Sequence, residues 1–140
     1  MKRFFIDSSV LFSAAYSRTG HARDLLSRTL QREVALVVSE LVFKETRRNL
    51  ADHAPGHTII LDYLLENIAF ELVRPTKRQV LAAAGIVALK DAPIVAAARR
   101  ARVDALVTFD QKHLLGRAAV AKYVRAPVLT PKAALARLRP

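Results

Sequence analysis

The sequence contains no cysteine and no tryptophan, only four glycines, and 12 acidic residues against 23 basic ones. Without cysteine there is neither a disulfide framework nor a thiolate metal site, which fits a reducing cytoplasm. The longest apolar run, residues 80–89, is interrupted by Gly85, whereas a membrane helix needs about 20 apolar residues. The glycines are scattered, so a glycine-rich phosphate loop is excluded. We expect a cytoplasmic protein without a membrane span.

The chain length of 140 residues suits one domain covering residues 1–140. A chain of this size buries about 70% of its unfolded surface, and 52% hydrophobic with 25% charged residues indicates a soluble globular protein. The basic and then apolar start of the chain resembles a secretory signal, but Asp7 interrupts the apolar segment. We therefore predict a strand followed by a helix there.

The formal net charge is +11, and 16 of the 23 basic residues are arginine. A charge of this sign favours a polyanionic partner, either nucleic acid or an acidic membrane surface. The planar guanidinium of arginine matches phosphate geometry. A general arginine and alanine bias of the genome explains the composition equally well.

Short apolar strands alternate with amphipathic helices along the chain. This alternation predicts a parallel sheet covered by helices on both faces. Strands are predicted at residues 3–6, 34–38, 69–73, 105–107 and 127–129. Helices are predicted after Ser8-Ser9, after Gly20 (with Leu30 on the apolar face), and over residues 39–50, 58–67, 76–84 (with Leu81 inward), 91–102 and 130–138, with a loop at 51–56.

Acidic residues fall near the carboxyl ends of the predicted strands, where ligands of open α/β sheets bind. Asp7 ends the first strand, Asp110 follows the strand at 105–107, and Asp91 opens the helix leading into that strand. Glu45 lies beside the apolar stripe of its helix, where a carboxylate needs a partner. Together these four carboxylates predict a site for a hard cation, Mg²⁺ or Mn²⁺.

Each acid also has an ordinary structural interpretation. Asp91 is a good helix N-cap, Asp110 could cap the segment containing His113, and Glu45 could pair with Arg48. Asp7 is the hardest to explain in this way, because aspartate disfavours strands. A basic protein that gathers acids at strand ends nevertheless suits phosphodiester chemistry, since the basic surface attracts the backbone and the acids hold the metal.

Three segments resemble PIN-domain ribonucleases, which include the toxins of VapBC-type toxin–antitoxin modules. The segments are F-I-D-S-S-V-L around Asp7, residues 39–50 with Glu45, and D-A-P-I from Asp91 followed by L-V-T-F-D ending at Asp110. The acids are separated by 38, 46 and 19 residues, which matches the family order. The resemblance extends over essentially the whole chain.

The resemblance implies a three-layer α/β/α sandwich with a central, mainly parallel sheet, forming a single PIN-like nuclease domain. It also implies Mg²⁺- or Mn²⁺-dependent endonucleolytic cleavage of single-stranded RNA by metal-activated water, without a covalent enzyme intermediate and leaving a 5′-phosphate and a 3′-hydroxyl. An antitoxin protein and a homodimer are the implied partners.

By position, Asp7, Glu45, Asp91 and Asp110 match the catalytic metal-site acids of the family. Ser9 stands where many members carry asparagine, and Thr108 matches the threonine before the last aspartate. Arg18, Arg47, Arg48 and Lys112 are candidate RNA contacts, chosen because they lie near these segments. A solvated helix face is the competing explanation for Arg47 and Arg48.

Other classes fit less well. A phospho-receiver domain would have a second acid near Asp7, and a haloacid-dehalogenase-type phosphatase would have an aspartate where Ser9 stands. A non-catalytic PIN-like RNA-binding module would explain the charge but not the gathered acids. The histidines do not form a zinc-binding helix, and His113 is expected to be a packing or surface residue.

Overall fold

A computed structural model of the chain describes residues 1–138 and contains a central five-stranded sheet. The strand order is β3-β2-β1-β4-β5, and every neighbouring pair is parallel. Parallel pairing requires a crossover between successive strands, and helices supply it here. The strands are β1 (Lys2–Ile6), β2 (Val34–Val38), β3 (Glu71–Leu72), β4 (Ala105–Val107) and β5 (Val128–Leu129).

Helices fill the connections between the strands. They are α1 (Ser8–Tyr16), α2 (His21–Ser27), α3 (Glu40–His53), α4 (Thr58–Asn67), α5 (Lys77–Ala83), α6 (Ala92–Ala101), α7 (Ala118–Val124) and α8 (Pro131–Leu135), with a 3₁₀ turn at Pro55–His57. No helix within residues 1–138 is both long enough and apolar enough to cross a membrane.

The helices form a layer on each face of the sheet. The chain moves in one direction from β1 to β2 and β3, and then crosses back in the other direction from β3 to β4 and β5. Because such crossovers are right-handed, connections running in opposite directions cover opposite faces. Accordingly α1 packs against α2, α3 and α4, whereas α6 packs against α5 and α7. The expected three-layer α/β/α sandwich is confirmed.

The core is built around the three central strands. Phe4, Phe5 and Ile6 of β1 are all buried, as are Leu36 and Leu106 on the flanking strands. Consecutive buried residues are expected where helices cover both faces of a sheet. Since side chains alternate between the two faces, these strands supply apolar surface to both layers.

Helix α6 packs mostly small side chains against the sheet. Its residues Ala96, Ala97 and Ala98 are buried together with Val95, so its axis can approach the strands closely. The ten residues rise about 15 Å in an ideal α-helix. The helix therefore separates Asp91 at its start from Arg102 at its end by roughly that length.

Several element boundaries differ from those predicted. Leu30 and Leu81 are 70% and 61% exposed and do not face the core. The loop predicted at 51–56 is mostly helical, because α3 continues to His53 and the 3₁₀ turn follows directly. The strand predicted at 69–73 forms only two residues of β3, and α8 stops at Leu135. The end of the predicted 130–138 helix is followed by two residues outside the described range.

Three arginines adopt left-handed backbone conformations, namely Arg32, Arg102 and Arg125. Arg102 and Arg125 are the C-caps of α6 and α7, with φ values of 54° and 64°. A left-handed residue commonly ends a helix, but glycine usually occupies the position because a Cβ is disfavoured there. These two helix ends therefore carry arginine against the local backbone preference.

Candidate active site

Asp7 lies at the carboxyl end of β1 and is 6% exposed. Its Oδ1 accepts hydrogen bonds from the hydroxyl of Ser9 at 2.6 Å and the backbone N–H of Val10 at 3.3 Å, while Oδ2 accepts one from the hydroxyl of Thr108. Asp7, rather than Ser8 or Ser9, is therefore the N-cap of α1. Burial raises the pKa of the Asp7 carboxyl, and the donated hydrogen bonds offset only part of that rise.

Thr108 and Ser9 join the turn after β4 to Asp7. The Thr108 hydroxyl donates to Asp7 and accepts from the backbone N–H of Asp110 at 3.0 Å. The Ser9 hydroxyl likewise donates to Asp7 and accepts from the backbone N–H of Phe109 at 3.0 Å. Each hydroxyl thus connects two strand ends, which fixes the position of Asp110 relative to Asp7.

Glu45 reaches the same region from α3. Burial raises the pKa of its carboxyl, the charge of Arg48 opposes that rise, and the negative charges of Asp7 and Asp91 add to it. A hydrogen bond from Ser8 also favours the ionised form. The carboxyl of Glu45 is thus electrostatically coupled to both aspartates, because like charges influence one another strongly only at short range.

Asp91 occupies the N-cap position of α6 but does not act as a cap, since its side chain accepts no hydrogen bond from the first turn. Its Oδ2 is buried and has no hydrogen-bond partner in the part of the chain that the structure describes. A buried oxygen without a partner is costly and requires an explanation. The ordinary structural interpretation of Asp91 as a helix cap therefore fails here.

Asp110 combines a local structural role with a place in the acidic group. Its Oδ1 accepts the backbone N–H groups of Lys112 at 3.1 Å and His113 at 2.9 Å. Burial opposes ionisation of its carboxyl, but these donors and the His113 ring together lower its pKa. The carboxylate closes a turn, since the next helix, α7, begins only at Ala118.

His113 is a residue of this group that the sequence analysis did not assign to it. Its Nδ1 lies 3.3 Å from Oδ2 of Asp110 and 3.5 Å from the Nζ of Lys90. One ligand atom each from Asp91, Asp110 and His113 falls within 4.8 Å of the others. The spacing of three residues after Asp110 was the available signal, because the Asp110 turn brings the His113 ring back to the carboxylate.

The four predicted RNA-contacting residues have different surroundings in the structure. Arg47 forms an ion pair with Asp62 of α4 at 2.9 Å, so its guanidinium is directed along the helix layer. Arg48 lies within electrostatic reach of Glu45, and Lys112 is exposed beside Asp110. Arg18 is exposed in the segment after α1.

The donor set of this site suits a divalent cation. It consists of carboxylate oxygens and one imidazole, which are ligands that Mg²⁺, Mn²⁺ and similar ions accept. The unpartnered oxygen of Asp91 and the mutual repulsion of the acids are both relieved by a cation. The residues therefore fit a metal site at the carboxyl ends of β1 and β4, where the strand order reverses direction.

Three solved structures illustrate the similarity of this fold to known proteins. PAE2754 from Pyrobaculum aerophilum matches with a TM-score of 0.68 and 16% identity, over 97% of this chain and 94% of that chain. VapBC2 from Rickettsia felis, bound to a promoter DNA fragment, gives 0.63 and 12% identity over 91% and 98%. FitAcB from Neisseria gonorrhoeae gives 0.56 and 17% identity over 92% and 98%.

Sequence comparison identifies the family. No curated protein matches the chain significantly, but the family model of the PIN domain matches residues 3–112. This range contains all four predicted site acids, Asp7, Glu45, Asp91 and Asp110. The chain belongs to the PIN-domain family.

Proposed function

We propose that the protein is a metal-dependent endoribonuclease that hydrolyses phosphodiester bonds in single-stranded RNA. The observation that carries the proposal is the grouping of Asp91, Asp110 and His113 in a strongly basic chain. Thr108 joins Asp7 to Asp110 by hydrogen bonds, and Glu45 is electrostatically coupled to Asp7 and Asp91. PIN domains are generally nucleases, and the unpartnered oxygen of Asp91 supports a cation at this position.

In this proposal Asp7, Glu45, Asp91 and Asp110 hold Mg²⁺ or Mn²⁺, with His113 as an additional candidate ligand. When bound, such a cation neutralises charge on the phosphoryl group and makes water a better nucleophile at neutral pH. The Ser9 and Thr108 hydroxyls hold the Asp7 carboxylate in one orientation through their hydrogen bonds. Both hydroxyls are positioning groups.

The basic residues near the acids would bind the RNA backbone. Lys112 and Arg48 are the better candidates, because the charge of Arg47 is already paired with that of Asp62. Arg18 remains a candidate from the end of α1. Charge-assisted hydrogen bonds from such groups would orient the phosphate without reading the base sequence.

We further propose that the protein is the toxin of a type II toxin–antitoxin system and acts in the cytoplasm. Support comes from the similarity of the fold to VapBC2 from Rickettsia felis, which binds a fragment of its promoter DNA, and to FitAcB from Neisseria gonorrhoeae. An antitoxin that covers the acidic site and a homodimer of this chain are parts of the same proposal. Growth arrest on expression should be abolished by Asp91→Asn and relieved by co-expression of an adjacent antitoxin gene.

The enzymatic proposal is tested by incubating the protein with single-stranded RNA in Mg²⁺, in Mn²⁺ and in EDTA. Cleavage is expected only with metal. Asp91→Asn should reduce it by at least about 100-fold, because loss of a residue that only orients a metal ligand already costs up to about 100-fold. Asp52→Asn, an exposed acid near the end of α3, is the matched control and should cleave normally. RNA binding without cleavage under all conditions would instead support a non-catalytic RNA-binding module.

A further inference from the structure

A second charged region lies far from the acids, in a cavity of about 1120 Å³ between α5, α6 and α7. Arginines are the commonest residues of its wall, and none of the lining residues within positions 1–138 is acidic. We call this cavity the arginine pocket. Its arginines are Arg78, Arg99, Arg100, Arg102 and Arg125.

None of these five arginines forms an ion pair within the described residues, where the arginine–carboxylate pairs involve Arg3, Arg28, Arg47 and Arg74. Like charges gathered without a counter-charge repel one another, and a cleft with low-dielectric walls concentrates the resulting field. The pocket is therefore a site of positive potential that an anion would stabilise.

Two of the guanidiniums are fixed by uncharged partners. Arg99 donates to the backbone carbonyl of Tyr123 at 2.9 Å and lies 4.4 Å from the centre of its ring. Arg100 donates to Oε1 of Gln79 at 3.1 Å. Because neither partner carries a charge, the positive charge is held in place without being neutralised, and each guanidinium keeps further N–H groups for a ligand.

Arg102 and Arg125 are also unusual in their backbone conformation. Both are helix C-caps in the left-handed region, where glycine is the usual residue. Both precede strands of the sheet, so they lie near the amino ends of β4 and β5, opposite the carboxyl ends where Asp7 and Asp110 meet. Side chains at these positions extend the positive surface across the rim of the pocket.

We propose that the arginine pocket binds backbone phosphates of an RNA strand at a distance from the candidate metal site. The choice of RNA rests on the proposed function. Arginine forks match phosphate oxygens, and the volume with five guanidiniums accommodates several phosphates rather than one. With α6 about 15 Å long, only RNA that extends well beyond the cut bond reaches both regions.

Binding is measured by fluorescence anisotropy in EDTA, with single-stranded RNAs of about 4 and about 16 nucleotides, the range of site sizes for single-strand binding domains. The double variant Arg102→Gln/Arg125→Gln is compared with Arg32→Gln/Arg137→Gln. The control removes the same charge from a separate cavity that also contains Glu33 and Asp104. Arg32 shares the left-handed backbone conformation, so the control set also alters one such position.

The pocket variant should bind the longer RNA at least about tenfold more weakly, and the slope of log affinity against log salt should shrink by about 0.7 for each lost phosphate contact. The control should stay within about twofold of wild type. Equal losses in both double variants, or no loss in the pocket variant, would overturn the proposal. Arg78→Glu, which lies within helix α5, tests the same pocket without altering a left-handed position.

Competition identifies the ligand. The longer RNA should outcompete inorganic phosphate, a nucleoside monophosphate and polyglutamate, each compared at equal anion concentration. Equal competition by a small phosphate would make the pocket a small-anion site, and equal competition by polyglutamate would indicate an acidic protein partner. Either result would refute RNA as its ligand.

Cleavage assays separate this proposal from the proposed function. With Mg²⁺ or Mn²⁺, the pocket variant should raise KM for the longer RNA, leave kcat unchanged, and cut the shorter RNA normally. Absence of cleavage in wild type, with the binding difference intact, would remove the nuclease proposal and leave the pocket. Normal cleavage together with unchanged binding in the pocket variant would remove the pocket alone.

Discussion

Asp7 is held in a buried position by three donated hydrogen bonds, yet burial still raises the pKa of its carboxyl. A buried anion is costly unless it has charged or hydrogen-bonding partners. The donors satisfy its oxygens without supplying a full positive charge. A carboxylate in this position therefore reduces the stability of the metal-free fold when it is ionised.

The first prediction concerns the pH dependence of that stability. The folded-state pKa of Asp7 is above the ordinary value of 3.8, so the folded protein binds more protons than the unfolded chain between the two values. Its contribution to the free energy of unfolding is fully present below the ordinary value and is lost as pH rises through the folded pKa. Asp7→Asn should remove this loss and be more stable than wild type at neutral pH.

Urea denaturation of both proteins in EDTA, over a series of pH values, measures the difference directly. Acids that are not coupled to Asp7 contribute equally to both proteins, so the difference reports Asp7 together with its electrostatic effect on Glu45. A stability gap that stays constant with pH would contradict the buried, ionisable Asp7 described here.

A second prediction concerns Thr108, whose hydroxyl connects Asp7 to the backbone N–H of Asp110. Thr108→Val keeps the shape but leaves both groups without this partner. The free energy of unfolding should fall by about 1–3 kcal/mol, the cost of leaving a buried polar group unpaired. Thr108→Ser retains the hydroxyl and should lose less. Denaturation of the two variants tests the role of the hydroxyl, and an equal loss in both would assign the effect to the methyl group.

At the scale of elements, three helices begin with a hydroxyl residue but use it differently. The Thr76 hydroxyl accepts from the backbone N–H of Gln79 in a capping box, and that of Thr130 accepts from the backbone N–H of Ala133. Ser39 precedes α3, yet its Oγ makes no cap bond, is buried, and has no partner among the described residues. A hydroxyl residue before a helix therefore forms a cap at Thr76 and Thr130 but not at Ser39.

The third prediction follows from this contrast. Thr76→Ala should lower the free energy of unfolding by about 1 kcal/mol, the usual cost of losing a cap. Ser39→Ala removes a buried hydroxyl that has no hydrogen-bond partner among the described residues, so it should not lower the free energy of unfolding. Thermal or urea denaturation of the two variants gives the comparison, and a larger loss from Ser39→Ala would contradict the cap geometry.

The sequence predicted the sheet well because its central strands are continuous apolar runs. Helix α4 matches its predicted range of Thr58–Asn67, since its apolar spacing is regular and its ends are polar. The errors arose at the ends of elements and at the surface, where packing determines the structure more than intrinsic secondary-structure propensity does. Leu30 follows the apolar spacing of α2 but lies beyond the end of that helix at Ser27, so it is not carried back onto the core.

The candidate site was predictable to the extent that it depends on strand ends. Asp7 and Asp110 follow strands directly, and parallel strands bring their ends together. His113 was missed because its position depends on the turn that Asp110 closes. The orphaned oxygen of Asp91 was also invisible in the sequence, where the residue matches an ordinary helix cap. The catalytic roles of these residues stay predictions.

At the scale of the whole molecule, charge is separated between the two ends of the sheet. The acids meet at the carboxyl ends of β1 and β4, whereas Arg102 and Arg125 lie before β4 and β5 at the other end. The formal net charge of +11 makes the molecule as a whole attractive to polyanions. An acidic region within such a field needs a cation before a phosphate can approach it closely.

The last prediction is that a divalent cation stabilises the whole fold. An ion that binds only the folded chain raises its free energy of unfolding by about 2.7 kcal/mol at a concentration 100 times its Kd. Mn²⁺ should therefore raise Tm progressively with concentration in wild type. The acids of the site repel one another in its absence, and the coupling between Glu45, Asp7 and Asp91 supplies the energetic reason.

Asp91→Asn should abolish most of this Mn²⁺-dependent increase, because it removes a charged ligand of the proposed site, whereas Asp52→Asn should preserve it. Differential scanning calorimetry of the three proteins across a Mn²⁺ titration measures both effects without RNA. If Mn²⁺ raises Tm equally in all three, the ion binds elsewhere on the surface. A complete lack of response in wild type would mean that Mn²⁺ does not bind at these acids. Their mutual repulsion would then not be relieved by a cation, and the proposed cation site would be refuted.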